Sequence, residues 1–260
     1  MIHTALKAAA AASEILTRGF GGLSAEDIGV KGRGDYVTAL DEASEKEIIQ
    51  IIRSAYPHHQ FCAEESGGLL EHKGVTWIID PLDGTANYVH GIPLFAVTIA
   101  AMKEGELVAG VVAMPMTGEV FSAEKGGGAW CNGMRQRVSN HGDFREAVLA
   151  TAFPWRDRIP FEPYVAAFRQ LMEATSDIRR MGAAAVDLAY TAAGKVDGYY
   201  EMGLSPWDMA AGILLVKEAG GVTTDFSGAQ DYWTTGQILA APPENHRKML
   251  EVLTAHLGHI

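Results

Sequence analysis

A mixed α/β (α+β) architecture is what this sequence predicts, and three observations carry the prediction. Segments with apolar residues at three- and four-residue steps recur along the chain, with short β-branched apolar runs between them. Hydrophobic residues at 48% and charged residues at 20% are ordinary for a compact chain and exclude disorder, collagen or coiled coil as descriptions of the whole. Its 260 residues suffice for one large domain or two tightly joined lobes around a sizeable core.

The elements follow in order. Ile2, Ala5, Leu6, Ala9, Ala12, Leu16 and Phe20 mark an amphipathic helix over 2–18. After a Gly-rich turn, a second helix runs from about Asp41 to Ala55 and stops at Tyr56-Pro57, because the residue before proline avoids the helical region. Strands are predicted at Val75–Ile79, Phe95–Ala101, Leu107–Ala113 and Val120–Ala123, and Asn132-Gly133 is a hairpin turn. Near Asn140 the pattern changes from strand-like to helix-rich, which places a soft boundary between lobes 1–140 and 141–260. Beyond it, helices are predicted at Pro163–Ala174 and Ala183–Ala193, the latter stopped by Gly194. A strand at Val196–Glu201 precedes a helix opened by Pro206-Trp207-Asp208 and closed by Gly220-Gly221. Strands at Val222–Thr224 and Gln237–Ala241 and a helix at Pro243–Leu257 complete the pattern.

Charge and cysteine usage narrow the function classes. Thirty-two acids against twenty-one Lys plus Arg give a formal charge of -11, which opposes direct binding to nucleic acid or an anionic membrane and suits cations. Cys62 and Cys131 lack CxxC spacing, so a cytoplasmic, reducing compartment is expected. Lys7, Glu14 and Arg18 interrupt the Ala-rich opening, which does not read as a signal peptide. The longest stretch free of Lys, Arg, Asp and Glu, Gly84 to Met102, contains Asn87, His90, Gly91 and Pro93 and is no membrane span. HExxH, GxSxG and P-loop motifs are all missing, and Gly126-Gly127-Gly128 lacks dinucleotide-binding register.

The most informative segment is Ile79 to Tyr88, where Asp80 and Asp83 flank a proline bend at the end of an apolar strand. Two acids facing one point repel phosphate unless a divalent cation lies between them, and oxygen-only ligands select Mg2+ or another hard ion. The Leu82 carbonyl adds a neutral oxygen, and N–H groups at Gly84 and Thr85 suit phosphate. The same residues also suit an ordinary turn and helix cap. Glu64-Glu65-Ser66 follows a strand that ends after Phe61, and Asp208 opens a helix rich in small residues; the plainer readings are a solvated loop and a first-turn acid.

These residues resemble the inositol monophosphatase family of Mg2+-dependent phosphatases. The resemblance rests on Glu64-Glu65-Ser66, on the run from Trp77 to Thr85 containing Asp80-Pro81-Leu82-Asp83-Gly84, and on Trp207 to Gly212, in family order and spacing. Gly34 to Asp41, Lys125 to Gly133 and Gly194 to Gly203 take part as well. What it implies is a layered αβαβα sandwich of the inositol monophosphatase/fructose-1,6-bisphosphatase type, assembled as a homodimer, sensitive to lithium and holding two or three Mg2+ ions.

Carried onto this sequence, the resemblance gives Glu64, Asp80 and the Leu82 carbonyl to a first metal, and Asp80, Asp83 and Asp208 to a second. Most ligands would then lie in the first lobe, with Asp208 and substrate contacts in the second, as one catalytic unit. Thr85 with Glu64 would orient the attacking water, and Asp41 would hydrogen-bond Thr85 from outside the metal shell; capping its helix is the alternative role for Asp41. Asp83, Gly84 and Thr85 would contact the substrate, and Glu201 would meet ring hydroxyls unless it is a strand-end surface acid. Ala86 stands where many relatives carry Thr, and Arg180 where others carry a small polar residue, so Arg180 is either a substrate contact or an interface residue. The implied reaction is hydrolysis of a phosphate monoester, inositol monophosphate first. Fructose 1,6-bisphosphate, histidinol phosphate and 3'-phosphoadenosine 5'-phosphate are alternatives, and a regulatory protein partner of the transcription machinery is a rival of another class.

Overall fold

The computed structural model describes residues 1–23, 28–32, 35–140, 142–154 and 161–258. In chain order the elements are α1 (Ile2–Gly19), β1 (Ile28–Gly32), β2 (Asp35–Thr38), α2 (Ala39–Ala55), β3 (Gln60–Ala63), β4 (Val75–Asp83), α3 (Thr85–Val89), β5 (Ala96–Lys103), β6 (Glu106–Met114), β7 (Glu119–Glu124), β8 (Gly128–Cys131) and β9 (Met134–Gln136). They continue with β10 (Val148–Thr151), α4 (Phe161–Ala174), β11 (Asp177–Arg179), α5 (Ala184–Ala192), β12 (Gly198–Glu201), α6 (Pro206–Glu218), β13 (Val222–Thr224), α7 (Tyr232–Thr235), β14 (Ile238–Ala241) and α8 (Pro243–Leu257).

These elements stack in five layers. α1 and α2 pack together on one face of a seven-stranded sheet ordered β3-β4-β5-β6-β7-β8-β9. α5 and α6 fill the middle, between that sheet and a five-stranded one ordered β11-β10-β12-β14-β13. α4 and α8 cover the outer face of the second sheet. This is the αβαβα sandwich that the resemblance implies. The central position of α6 explains its composition: Met209 to Val216 are all buried, because a helix between two sheets has no solvent face. α1 sits outside, so it buries only one stripe, Ile2, Ala5, Ala8, Ala9, Ala12 and Leu16.

The predicted helices lie within a few residues of their observed spans. Gly194 has the left-handed backbone (φ 67°) expected of a helix stop. Two expectations need correction. β4 does not end at Ile79 but runs on to Asp83, and Asp41 is not the cap of α2: Thr38 is, with Asp41 three residues in, closing a capping box. Gly34, part of the motif around Asp41, lies outside the described residues. Among the described residues no helix is long and apolar enough to cross a membrane.

Candidate active site

A regular strand would set Asp80 and Asp83 on opposite faces, because they are an odd number of residues apart. The register shows how β4 avoids this: Asp80 pairs with Thr98 and Asp83 with Ala96, so a bulge of one extra residue returns both carboxylates to one face. Pro81 fits there because a bulge does not ask it for an N–H. The Leu82 N–H donates to Asp80 Oδ1 at 2.9 Å, fixing that carboxylate against its own bend. β3 runs parallel to β4 with Ala63 opposite Ile79, so the next residue, Glu64, emerges beside Asp80 at the same sheet end. Its N–H donates to the Ile79 carbonyl at 3.2 Å.

Gly84 then turns the chain with φ 90° and caps α3. A Cβ there would lie 3.0 Å from the Ala183 methyl group and 3.3 Å from the Leu94 carbonyl oxygen, so glycine is required both for conformation and for space. Thr85 opens α3, and its hydroxyl lies 3.0 Å from the Leu82 carbonyl and 3.4 Å from Asp41 Oδ1. Asp41 is fully buried and accepts the Thr38 N–H at 2.9 Å and the Thr38 hydroxyl at 2.6 Å. Burial nevertheless pushes its carboxyl up to about 6, against the pull of those bonds.

The middle helices close the site from the other side. α6 begins at Pro206, and Asp208 three residues past its cap Ser205 accepts the Ser205 N–H at 2.7 Å. Thr98, the partner of Asp80 on β5, donates its hydroxyl to the Trp207 carbonyl at 2.9 Å, tying the start of α6 to the strand beside the bulge. The N-terminal turn of α5 points at Asp83, whose Oδ2 accepts the Ala185 N–H at 2.7 Å.

Asp80, Asp83 and Asp208 each offer an oxygen such that the three lie within 4.8 Å of one another. Burial first, then the neighbouring acids Glu64, Asp83 and Asp208, holds Asp80 well above the usual carboxylate range. Asp83 is raised in the same way, by burial and then by Asp208, with only the Ala185 N–H opposing. Buried carboxylates crowded together with oxygen donors only are a poor arrangement by themselves and a fitting one for a hard divalent cation, which relieves both burial and repulsion.

A cleft of about 130 Å³ opens over this cluster, lined by Glu64, Asp80, Leu82, Asp83, Gly84, Thr85, Arg180, Glu201 and Asp208 among others. Every residue the sequence nominated thus lies on it except Asp41, which stands behind Thr85. Glu201, at the end of β12, is held by the Tyr199 hydroxyl at 2.5 Å. Three features at or near the site escaped the sequence reading. Ala152, Phe153 and Pro154 form one wall, which follows β10, a strand that was not predicted. The Ala185 N–H has no side-chain signature at all. Asp187 lies buried in α5 with neither carboxylate oxygen hydrogen-bonded, its pKa driven up by burial and by the charges of Glu201 and Asp83. A lone acid inside the apolar run Ala183 to Ala189 was the signal available for it.

Comparison with known proteins agrees with this fold. The chain is 40% identical to the extragenic suppressor protein suhB of Bartonella henselae, whose crystal structure superposes with a TM-score of 0.91 over 96% of this chain and 97% of that one. It is 37% identical to the inositol monophosphatase from Anabaena (Nostoc), with a TM-score of 0.87 over 100% and 98%. The Nus factor SuhB of Pseudomonas aeruginosa is 44% identical over 99% of this chain and 97% of its own length. Residues 1–258 match a single family model from end to end, and on that match this chain belongs to the inositol monophosphatase family.

Proposed function

We propose that the protein is a Mg2+-dependent phosphatase that hydrolyses inositol monophosphate or a similar polyol phosphate to the alcohol and inorganic phosphate. The observation that carries this reading is the convergence of Asp80, Asp83 and Asp208, with oxygens within 4.8 Å of one another, in the cleft that Glu64, Gly84 and Thr85 also line. Glu64, Asp80, the Leu82 carbonyl, Asp83 and Asp208 would hold the metal. Bound there, Mg2+ supplies positive charge that acidifies water and neutralises a phosphate ester during in-line displacement.

The chain's own groups have separate tasks. The Thr85 hydroxyl carries one proton; when it donates to Asp41 its lone pair is turned to accept from the attacking water. Asp41, raised to about 6, is suited to strengthening that donation near neutral pH. The same proton can turn instead to the Leu82 carbonyl 3.0 Å away; that oxygen has two lone pairs, so one stays open to a cation in either orientation of the hydroxyl. Gly84 and Thr85 N–H groups at the start of α3 meet phosphate oxygens. Glu201, held by Tyr199, accepts from hydroxyls of the alcohol half.

The test is phosphate release from inositol 1-phosphate, fructose 1,6-bisphosphate, histidinol phosphate and 3'-phosphoadenosine 5'-phosphate, each with and without Mg2+. Mg2+-dependent turnover fastest on the inositol ester is expected; release from none of the four overturns the reading. A second reading rests on the name shared by relatives 43–44% identical over most of their length, Nus factor SuhB, and makes this chain also a protein partner in transcription complexes. Gel filtration with purified bacterial RNA polymerase checks it, and an Asp83→Asn variant that still co-elutes would separate that role from catalysis.

A further inference from the structure

Glu64 is the one proposed ligand carried by a loop rather than by a strand or helix end, so something other than regular structure has to aim it. The loop is a tight closed turn: Ala63 and Gly67 exchange both backbone bonds, each at 3.0 Å. The N–H groups of Glu65 and Ser66, immediately after Glu64, are held from outside the turn. Glu45, on α2, takes both of them. Its Oε2 accepts from Glu65 N and its Oε1 from Ser66 N, each at 2.8 Å, a two-pronged clamp by a side chain only 3% exposed. Charge-assisted bonds to backbone N–H groups are among the stronger ones, and two in parallel fix orientation as well as position.

Glu45 does not act from an arbitrary place. Asp41, Ser44 and Glu45 occupy one face of the first turns of α2, all buried, and each grips a different part of the site. Asp41 reaches Thr85, Ser44 donates to the Pro81 carbonyl at 3.1 Å at the bulge between Asp80 and Asp83, and Glu45 holds the Glu64 turn. Farther along the same face Ile48 and Ile52 are buried against the sheet, which anchors the helix.

We propose that Glu45 is a positioning residue that sets divalent-cation affinity through Glu64, by clamping the Glu65 and Ser66 N–H groups so that the Glu64 carboxylate is aimed before the ion arrives. This rests on the reading of Glu64 as a metal ligand. Glu45→Gln keeps size and shape but presents an NH2 group to one of two N–H donors, so one prong is lost and the turn is free to rotate. Partners of this kind typically govern metal affinity by about 10- to 100-fold.

The experiment titrates Mn2+ into the metal-free full-length chain and reads free ion by electron paramagnetic resonance, which needs no catalysis. Wild type, Glu45→Gln, Glu42→Gln, Glu64→Gln and the double variant Glu45→Gln/Glu64→Gln are compared, with thermal melts in EDTA to establish that each is folded. Expected are an affinity lowered about tenfold or more in Glu45→Gln, no change in Glu42→Gln, which removes the same charge from the exposed side of α2, and no further loss when Glu45→Gln is added to Glu64→Gln. If wild type binds Mn2+ and Glu45→Gln binds it equally well, the clamp is overturned while the metal site stands. Additive losses in the double variant overturn action through Glu64, and a wild-type chain that binds no Mn2+ overturns the metal reading and the clamp together. Should Glu45→Gln fail to fold, Glu45→Asp, one methylene short of both N–H groups, is titrated in its place with the same outcomes.

Discussion

Asp83 and Asp208 reach the cluster from different layers, one from a strand bulge and one from a helix start, and the two substitutions test separate halves of the site. Asp83→Asn and Asp208→Asn are each expected to lower turnover at limiting Mg2+ by about 100-fold or more, with partial rescue at high Mg2+, because an amide is a weak ligand for a hard cation. Both retain hydrogen-bond acceptors for Ala185 N and Ser205 N, so the fold survives; wild-type turnover at limiting Mg2+ in either would refute its place in the metal site. Thr85→Ala should reduce kcat by roughly 10² to 10³ while leaving the Mg2+ requirement in place, since its hydroxyl addresses water and Asp41. Glu201→Ala should lower kcat/KM for inositol 1-phosphate by about 1.5 to 3 kcal/mol and hardly affect an aryl phosphate. Steady-state rates on both esters decide it; equal losses would make Glu201 structural. Arg180 lines the same cleft, and a selective loss on fructose 1,6-bisphosphate in Arg180→Ala would assign it to a second phosphate.

Between α5 and α6 the contact is set by Gly212. A Cβ placed there would lie 2.4 Å from Leu188 Cβ and 2.5 Å from Leu188 Cδ1. Gly212→Ala therefore sets two effects against each other: about 1 kcal/mol gained in helix propensity, and about 1 to 3 kcal/mol lost to overpacking. Overpacking wins, because both helices are held between two sheets and neither can back away. The expected result is a Tm lower by about 2–6 °C in a thermal melt. Since α5 donates to Asp83 and α6 carries Asp208, Mg2+ affinity should weaken along with it, and an unchanged or raised Tm would show that the two helices have slack.

Across the whole molecule, buried acids outnumber buried bases at the site, and stability should depend on pH accordingly. Asp41, Asp80, Asp83 and Asp187 are all raised, so the folded metal-free protein holds protons that the unfolded chain, with carboxyls near 4, has released. Stability in EDTA should then fall as pH rises from about 4 through 6, with Asp41 alone contributing on the order of 3 kcal/mol, and keep falling as the more strongly raised groups ionise. His59 and His246, lowered by burial, work in the opposite direction below about 6.5, as do the surface carboxyls Glu106, Asp143, Asp177 and Glu244, lowered by their Lys or Arg partners, but the surface pairs are screened by solvent and count for little beside the buried acids. Mg2+ stabilises the ionised carboxylates, so its protection should grow with pH. Melts at pH 5.5 and 8, with EDTA and with Mg2+, measure this; a metal-free protein more stable at pH 8 would refute it.

Periodicity and stop residues made the helices legible, because a helix at a layer face repeats its apolar contacts every turn and ends where glycine or proline forbids continuation. The short strands β10 and β11 were less legible: three or four residues carry too few alternations to stand out, and partners distant in sequence define them. The residue types of the site were likewise written in the sequence, as Asp80, Asp83, Glu64 and Asp208 in motifs that resemble a known family. What only the tertiary structure decided is how they meet. Asp80 and Asp83 share a face because β5 pairs across a bulge, Glu64 joins them because β3 runs parallel to β4, and Glu45 aims it because α2 crosses the same sheet end. A linear sequence states which groups are available, whereas distances of a few ångströms between residues twenty to a hundred apart depend on which strands pair and which helices lie over them.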